Sequence, residues 1–488
     1  MAKKSLLKNV IYNFIYTGLN FLYPLITAPY ISRVLGASNL GKVNFATAIV
    51  NWFILFAVFG TTTYGVRQVA KSRDNKEELN KVFSEIFIIN ATLSIIVTII
   101  YVICIVSIDQ FYTEMPLYLI LSLSIILNMF SIDWFFQGIE EYKYIMIRSA
   151  ILKVISLICL FLFVSGPENY IIYGLISVLT TSLGGILNYT YSRKFIKVTF
   201  RNTNPFRHFK FLKIFFFHAF IVNIYTNLDQ VFLGFFIDTK AVAFMNRTKV
   251  IIAMAISVST AISNATLPRA SYYIQNDKKK FLHLVSIVPN YILWITIPIA
   301  IGVISLAPEI MFILGGSEFL DATLLLQIVA LTIIFAPLST YLQYQVLVAS
   351  GKEKLGLYVA ILTSITSLVL NVILIPLLGF IGAGLVQVCS EFLAVTIRYY
   401  IAKRHLGYTE IEFINVSSSK FIFSSLLMAI SIILIRYLIE NEYVVSILSL
   451  IVGLFIYIFV LYFLKDKITL LMMVKFKQKV MKKIYKNI

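Results

Sequence analysis

The sequence predicts an all-α, polytopic integral membrane protein with about fourteen transmembrane helices, arranged as two six-helix lobes plus two extra C-terminal helices. Three observations predict it. First, 59% of the 488 residues are hydrophobic and only 13% are charged, against roughly 25% charged in an ordinary soluble domain. Second, a spanning helix takes about 20 apolar residues, so the apolar content fills roughly fourteen spans and leaves no sizeable extramembrane domain. Third, the 42 Lys and Arg fall almost entirely on one side of those spans.

Apolar runs bounded by charge place the spans near 9–32, 43–64, 82–108, 115–139, 146–164 and 170–192, then 212–236, 244–267, 284–305, 323–348, 356–376, 381–402, 420–438 and 443–464. Ahead of the first, Lys3, Lys4 and Lys8 precede apolar sequence running to Ile31. That stretch is too long for a signal-peptide core and lacks a small-residue cleavage site, so it reads as a retained first helix. With the N-terminus inside, only Arg33, Lys42, Lys240, Arg247, Lys249 and Arg436 fall outside, while Lys153 lies within the fifth span. The asymmetry predicts a multi-pass protein of the cytoplasmic membrane with both termini cytoplasmic. It also accounts for the net charge of +19 without nucleic acid, because basic loops face anionic headgroups. The tail from Lys475 to Lys486 is expected on that membrane surface.

Span starts recur at nearly constant offset, 9 with 212, 43 with 244, 82 with 284, 115 with 323, 146 with 356 and 170 with 381. The repeat predicts lobes at 1–200 and 201–405, two additional helices in 406–464 and a basic cytoplasmic tail at 465–488. Six spans per half is an even number, so both halves enter from the same side and are related by an axis along the membrane normal. Two such lobes facing a central cavity suit alternating access.

Charge or amide within hydrocarbon is costly and should face protein or water. Asn13, Thr17, Asn20, Pro24 and Thr27 form one stripe of the first span. Asn223, Asn227, Gln230 and Gly234 repeat that rhythm in the seventh, with His218, Tyr225 and Asp229 on the other side. These amides serve either lumen lining or interhelical hydrogen bonds. Gln387, Glu391, Ala394 and Arg398 stripe the twelfth span; Glu391 and Arg398 are about two turns, roughly 10 Å, apart, which suits a shared aqueous cavity better than a direct pair. In the fourth, Asp133, Gln137 and Glu140 stack, and Lys153 in the next span is a plausible partner for one of them. Arg33 and Lys42, with Arg247 and Lys249, break the positive-inside pattern. They form either a cationic outer funnel for an anionic substrate or interfacial anchors that snorkel. Arg148 and Arg269 complete the expected lumen set.

No catalytic constellation is read. His208, His218, His283 and His405 are scattered, Cys104, Cys159 and Cys389 lie far apart without CxxC spacing, and there is no GxSxG, HExxH or P-loop. No enzyme, metal or cofactor is expected, so energy would come from a gradient, the membrane potential or consumption of the product.

Several stretches together resemble a family. They are Pro29-Tyr30-Ile31-Ser32-Arg33-Val34-Leu35-Gly36, then Gly41, Phe45 and Ala46; Gly60, Tyr64-Gly65 and Arg67; Asp133-Trp134-Phe135-Phe136-Gln137-Gly138-Ile139-Glu140; Asn227, Asp229 and Leu233-Gly234; and Thr266-Leu267-Pro268. The chain resembles, across its first twelve spans, the Wzx-type polysaccharide flippases of the multidrug/oligosaccharidyl-lipid/polysaccharide exporter superfamily. The resemblance implies two lobes around a cationic cavity and, as cargo, an undecaprenyl-pyrophosphate-linked oligosaccharide moved from the inner to the outer leaflet of a bacterial or archaeal membrane. It points by position at Arg33, Arg67, Asp133, Gln137 and Asp229. Its implied partners are that lipid-linked oligosaccharide, membrane lipid, and a polysaccharide polymerase with other assembly proteins. The alternatives are an ion-coupled multidrug antiporter of the same superfamily and a membrane-embedded sugar polymerase, for which the outer segment Leu306 to Ala322 is short.

Overall fold

The computed structural model describes residues 6–199 and 203–484. The readings on Lys3, Lys4, Arg201 and Lys486 fall outside them, as do the side chains of Lys475, Lys477, Lys479, Lys482 and Lys483. Every regular element among the described residues is helical. Two compact units divide the chain, Met1–Asn246 and Arg247–Ile488.

The first unit holds α1 (Leu6–Val58), α2 (Thr61–Ser72), α3 (Lys76–Ser107), α4 (Met115–Leu127), α5 (Asp133–Gly138), α6 (Tyr142–Phe163), α7 (Tyr170–Ser192), α8 (Phe206–Phe236) and the start of α9 (Thr239–Asn276). The second continues α9 and adds α10 (Lys278–Ser305), α11 (Ala307–Gly315), α12 (Thr323–Val329), α13 (Thr332–Tyr341), α14 (Glu353–Tyr400), α15 (Val416–Leu438), α16 (Glu442–Phe463) and α17 (Lys467–Ile484). Short polar caps start several of them. The Asn75 side chain accepts from the N–H groups of Glu77 and Glu78, Asn441 from Tyr443 and Val444, and Asn415 forms a reciprocal box with Ser418, each satisfying donors that the first helical turn leaves orphaned.

Eleven helices among the described residues are long and apolar enough to cross a bilayer, twelve if the pair Ser317–Val329 and Thr332–Val348, bent by 41°, is one span. The expected fourteen exceeds twelve by two, because two helical stretches, Ile11–Ser72 and Glu353–His405, each cover two expected spans. Ile11–Ser72 has 62 residues, about 93 Å if straight at 1.5 Å per residue, against roughly 30 Å of hydrocarbon. It breaks at Gly36 (φ 71°, ψ 170°), and the 48-residue α14 breaks at Gly379 (φ 59°, ψ −137°). Both conformations are strongly disfavoured for residues with a Cβ.

The division expected between 200 and 201 lies at undescribed residues. Helix α8, grouped with the second lobe by its sequence offset, falls in the first unit and packs on α1 and α2, with the Phe59 and Phe216 rings stacked at 4.6 Å. A sequence offset does not say which neighbour a helix packs against. In the second unit, α15 lies on α10 and α16. Tyr457 donates to the Trp294 carbonyl (2.7 Å) and Asn415 to Asn290 (2.9 Å). Large apolar side chains remain exposed on the helix faces, among them Ile99, Ile103, Ile158, Leu162, Leu450 and Leu454, as lipid contact requires. The chain is a multi-pass integral membrane protein.

Candidate functional site

The Asp133–Gly138 helix explains itself through packing. Trp134, Phe135 and Phe136 are buried in the core of the first unit with Phe83 and Tyr64. Gly65 and Gly138 permit the approach, since a Cβ on Gly65 would lie 2.7 Å from the Trp134 ring and one on Gly138 2.6 Å from Val69. Seating those rings leaves Asp133 facing α6 and α7. There its Oδ1 accepts from Arg148 Nη1 and Asn188 Nδ2, both at 2.9 Å. Arg148, buried, also donates to the Gly184 carbonyl (3.2 Å), to Ser149 Oγ (3.2 Å) and to Asn188 Oδ1.

The expected pairing of Lys153 with one of the fourth-span acids is therefore corrected. Arg148 takes Asp133, and Lys153 lies five residues, about 7.5 Å, further along α6. Glu140 is held by Arg73 at 2.6 Å, with Asn9 at 3.5 Å. Lys153 Nζ instead donates to Asn20 Oδ1 (2.5 Å) and sits 5.7 Å from the centre of the Tyr23 ring. Its partners are an amide and an aromatic face, neither of which carries a countercharge. Gln137 is half-buried.

The other expected residues separate by surroundings. Arg33, Arg67 and Arg269 are exposed. Asn227 Nδ2 donates to Asn223 Oδ1 (3.0 Å), so the α8 stripe is a real ladder along one helix. Asp229 is buried and accepts from the Gln230 N–H (2.8 Å). Arg247 is buried and Lys249 half-buried. On α14, Glu391 and Gln387 are half-buried. Arg398 donates to Gln343 Oε1 (3.2 Å) and Ser339 Oγ, which ties it to a π-helical stretch, Leu342–Val348. Such irregular turns are frequent where helices serve function.

Lys42 does not behave as part of a cationic funnel. It pairs with Glu114 at 2.7 Å, and Tyr170 donates to the same carboxylate at 2.7 Å. Arg436 likewise forks onto buried Glu309 at 2.5 and 2.7 Å, fastening α15 to α11.

One constellation escaped the sequence reading. Glu85, fully buried on α3, accepts from the Asn204 N–H (2.7 Å) and Arg207 Nε (2.7 Å), while His208 Nε2 lies at 2.8 Å and its Nδ1 is 2.7 Å from Tyr64 Oη. Asn80 and Ser84 take the Lys197 and Thr199 N–H groups. The connection into α8 is thus buckled onto α2 and α3. A carboxylate inside an expected span was the available signal.

The geometry defines a helical membrane protein with paired charges at its joints and, at Lys153, a cation held by an amide and an aromatic ring. The chain belongs to the family described as polysaccharide biosynthesis protein, whose pattern matches residues 6–274; the MatE pattern matches residues 215–373. A Shigella dysenteriae protein named as an O-antigen transporter is 25% identical over 399 residues, covering 81% of this chain and 99% of that one. The Staphylococcus aureus capsular polysaccharide biosynthesis protein CapF is 21% identical over 406 residues, 82% of this chain and all of the relative. Among solved structures, the lipid II flippase MurJ in its inward closed conformation matches 94% of this chain and 100% of its own with a TM-score of 0.74 at 19% identity. An inward-facing multidrug resistance transporter of the MATE family follows at 0.63, 12% identity, 79% of this chain and 94% of its own. The last two establish a shared fold.

Proposed function

We propose that this protein is a flippase that moves an undecaprenyl-pyrophosphate-linked oligosaccharide from the inner to the outer leaflet of a bacterial or archaeal cytoplasmic membrane by alternating access, supplying cell-surface polysaccharide synthesis. The observation that carries the reading is the family match together with near-complete alignment to a relative named for O-antigen transport. The residues support it. A pyrophosphate crossing hydrocarbon needs cations to replace its hydration; Lys153 has neutral partners and Arg33 and Arg67 are exposed. The basic asymmetry of the loops supports cytoplasmic termini. Partners of this reading are the lipid-linked oligosaccharide, membrane lipid and the polymerase that consumes the product.

The test uses cells depleted of the native gene and carrying variants. Arg33→Ala and Arg67→Ala each reduce surface polysaccharide more than the Lys replacements, without loss of protein from the membrane. An arginine–phosphate contact contributes about 1.5–3 kcal/mol, or about 10- to 150-fold. Normal polymer with both Ala variants contradicts these roles. A second reading, ion-coupled multidrug antiport, rests on the MatE match and the MATE fold likeness; it predicts drug sensitivity on deletion with polymer unchanged.

A further inference from the structure

Inside the first unit, the C-terminal half of α1, α4 and α7 enclose a cavity of about 240 Å³. Its wall is unusual for a membrane-embedded unit. Thr47 and Asn51 come from α1, Ser124 from α4, Asn128 from the turn after it, and Ser177 and Thr181 from α7. No charged side chain lines it. Between these groups lie aliphatic ones, including Leu121, Leu127 and Val178. Asn51 and Thr181 are exposed and mark its mouth. The side-chain amide nitrogen of Asn128 is buried there with no hydrogen-bond partner among the described residues.

A buried amide donor left unpaired costs about 1–3 kcal/mol, so a cavity that keeps one suits a guest with acceptor oxygens. The absence of charge in the wall argues against phosphate, and its eight hydroxyl and amide residues, Ser131 and Ser182 included, argue against an acyl chain or a flat apolar drug. The volume lies below the roughly 300–1,000 Å³ of pockets for drug-sized ligands, which limits the guest to a single small ring. Hydroxyls around the rim with aliphatic carbon between them match a pyranose, whose edge is polar and whose C–H face is apolar. We propose that this cavity is a subsite for one neutral sugar residue of the transported oligosaccharide. The proposal rests on the flippase reading and deepens it: sugar recognition and pyrophosphate recognition occupy different places in the unit.

The test uses the purified full-length chain in nanodiscs and saturation-transfer NMR with methyl glycosides of neutral hexoses, 6-deoxyhexoses and N-acetylhexosamines. The unsubstituted protein transfers magnetisation to at least one glycoside. Ser177→Phe, which fills the cavity, abolishes that transfer. Asn51→Leu combined with Asn128→Leu keeps the volume and removes the amides, weakening the glycoside about tenfold, as expected for lost neutral hydrogen bonds; it provides the readout should Ser177→Phe fail to fold. Binding of sugar-free undecaprenyl pyrophosphate, followed by tryptophan fluorescence, stays within twofold in both variants. Transfer to no glycoside, or transfer unchanged by both variants, overturns the subsite and leaves a cavity filled by water only. Failure of the flippase reading is seen separately, as no binding of undecaprenyl pyrophosphate to the unsubstituted protein.

Discussion

Replacing Arg148 by Ala tests whether the Asp133–Arg148–Asn188 cluster is a structural joint. The substitution strips Asp133 of its cation, Asn188 Oδ1 of its donor and the Gly184 carbonyl of its contact. Breaking a buried pair by removing one member costs about 3–5 kcal/mol. The Asp133 side chain keeps 33% of its exposure, so water recovers part of the loss and the lower end, about 3 kcal/mol, is expected. Asp133→Asn retains an oxygen acceptor for Arg148 and exchanges a charged hydrogen bond for a neutral one, about 1–2 kcal/mol. Because both act through one contact, the double variant costs no more than Arg148→Ala alone. Exposed Arg67→Ala is the control, within about 0.5 kcal/mol. Reversible unfolding of the purified protein in mixed micelles, titrated with sodium dodecyl sulfate, measures all four. A loss below about 1 kcal/mol for Arg148→Ala, or additive losses in the double variant, refutes the joint and returns Arg148 to the set of cations available for substrate.

Glu85→Ala frees Arg207, His208 and the Asn204 N–H together, and is expected to cost about 3–5 kcal/mol and to speed proteolysis within 193–205, measured by timed trypsin digestion. Gly36→Ala places a Cβ where φ is 71° and ψ 170° and should cost about 1–3 kcal/mol, read in the same unfolding titration; Gly18→Ala, with open space around its Cβ position, should not. Arg436→Lys keeps charge but loses the fork onto Glu309, so about 1–3 kcal/mol should be lost, with Arg436→Ala worse. Lys153→Met should leave unfolding nearly unchanged while reducing polysaccharide export, because its amide and ring partners remain satisfied by neighbours or water; equal losses in stability and export would make it a structural lysine.

The helical membrane class was legible because hydrocarbon imposes it: every backbone group must pair within a helix, and apolar runs of the right length follow. The polar stripe of α8 was legible too, since 3.6 residues per turn place Asn223 above Asn227. Partner choice was not. Asp133 could have met Lys153 on sequence spacing, but the seating of Trp134 against Gly65 turns the carboxylate towards Arg148, and that is a packing fact. Lys42 illustrates the same limit: its outside position left a funnel and an interfacial anchor both open, whereas Glu114 pairs with it and Tyr170 shares that carboxylate. Glu85 was passed over because its partners lie more than a hundred residues away in the connection before α8. The glycine breaks were visible only as short gaps between spans, for nothing in the neighbouring sequence reveals a positive φ.

The central claim is movement of a lipid-linked oligosaccharide, and the most direct measurement is leaflet exchange by the purified chain in proteoliposomes. Undecaprenyl-pyrophosphate oligosaccharide labelled on its sugar is placed in both leaflets, and the fraction accessible to an impermeant sugar-oxidising enzyme is followed over time. The account predicts that accessibility rises from about one half to near completion with the protein present. It predicts a rise at least tenfold slower in empty vesicles and in the Arg33→Ala, Arg67→Ala double variant, and no acceleration of a cationic drug's efflux. Accessibility that stays near one half with well-inserted protein, while a cation gradient drives drug across the same vesicles, contradicts it.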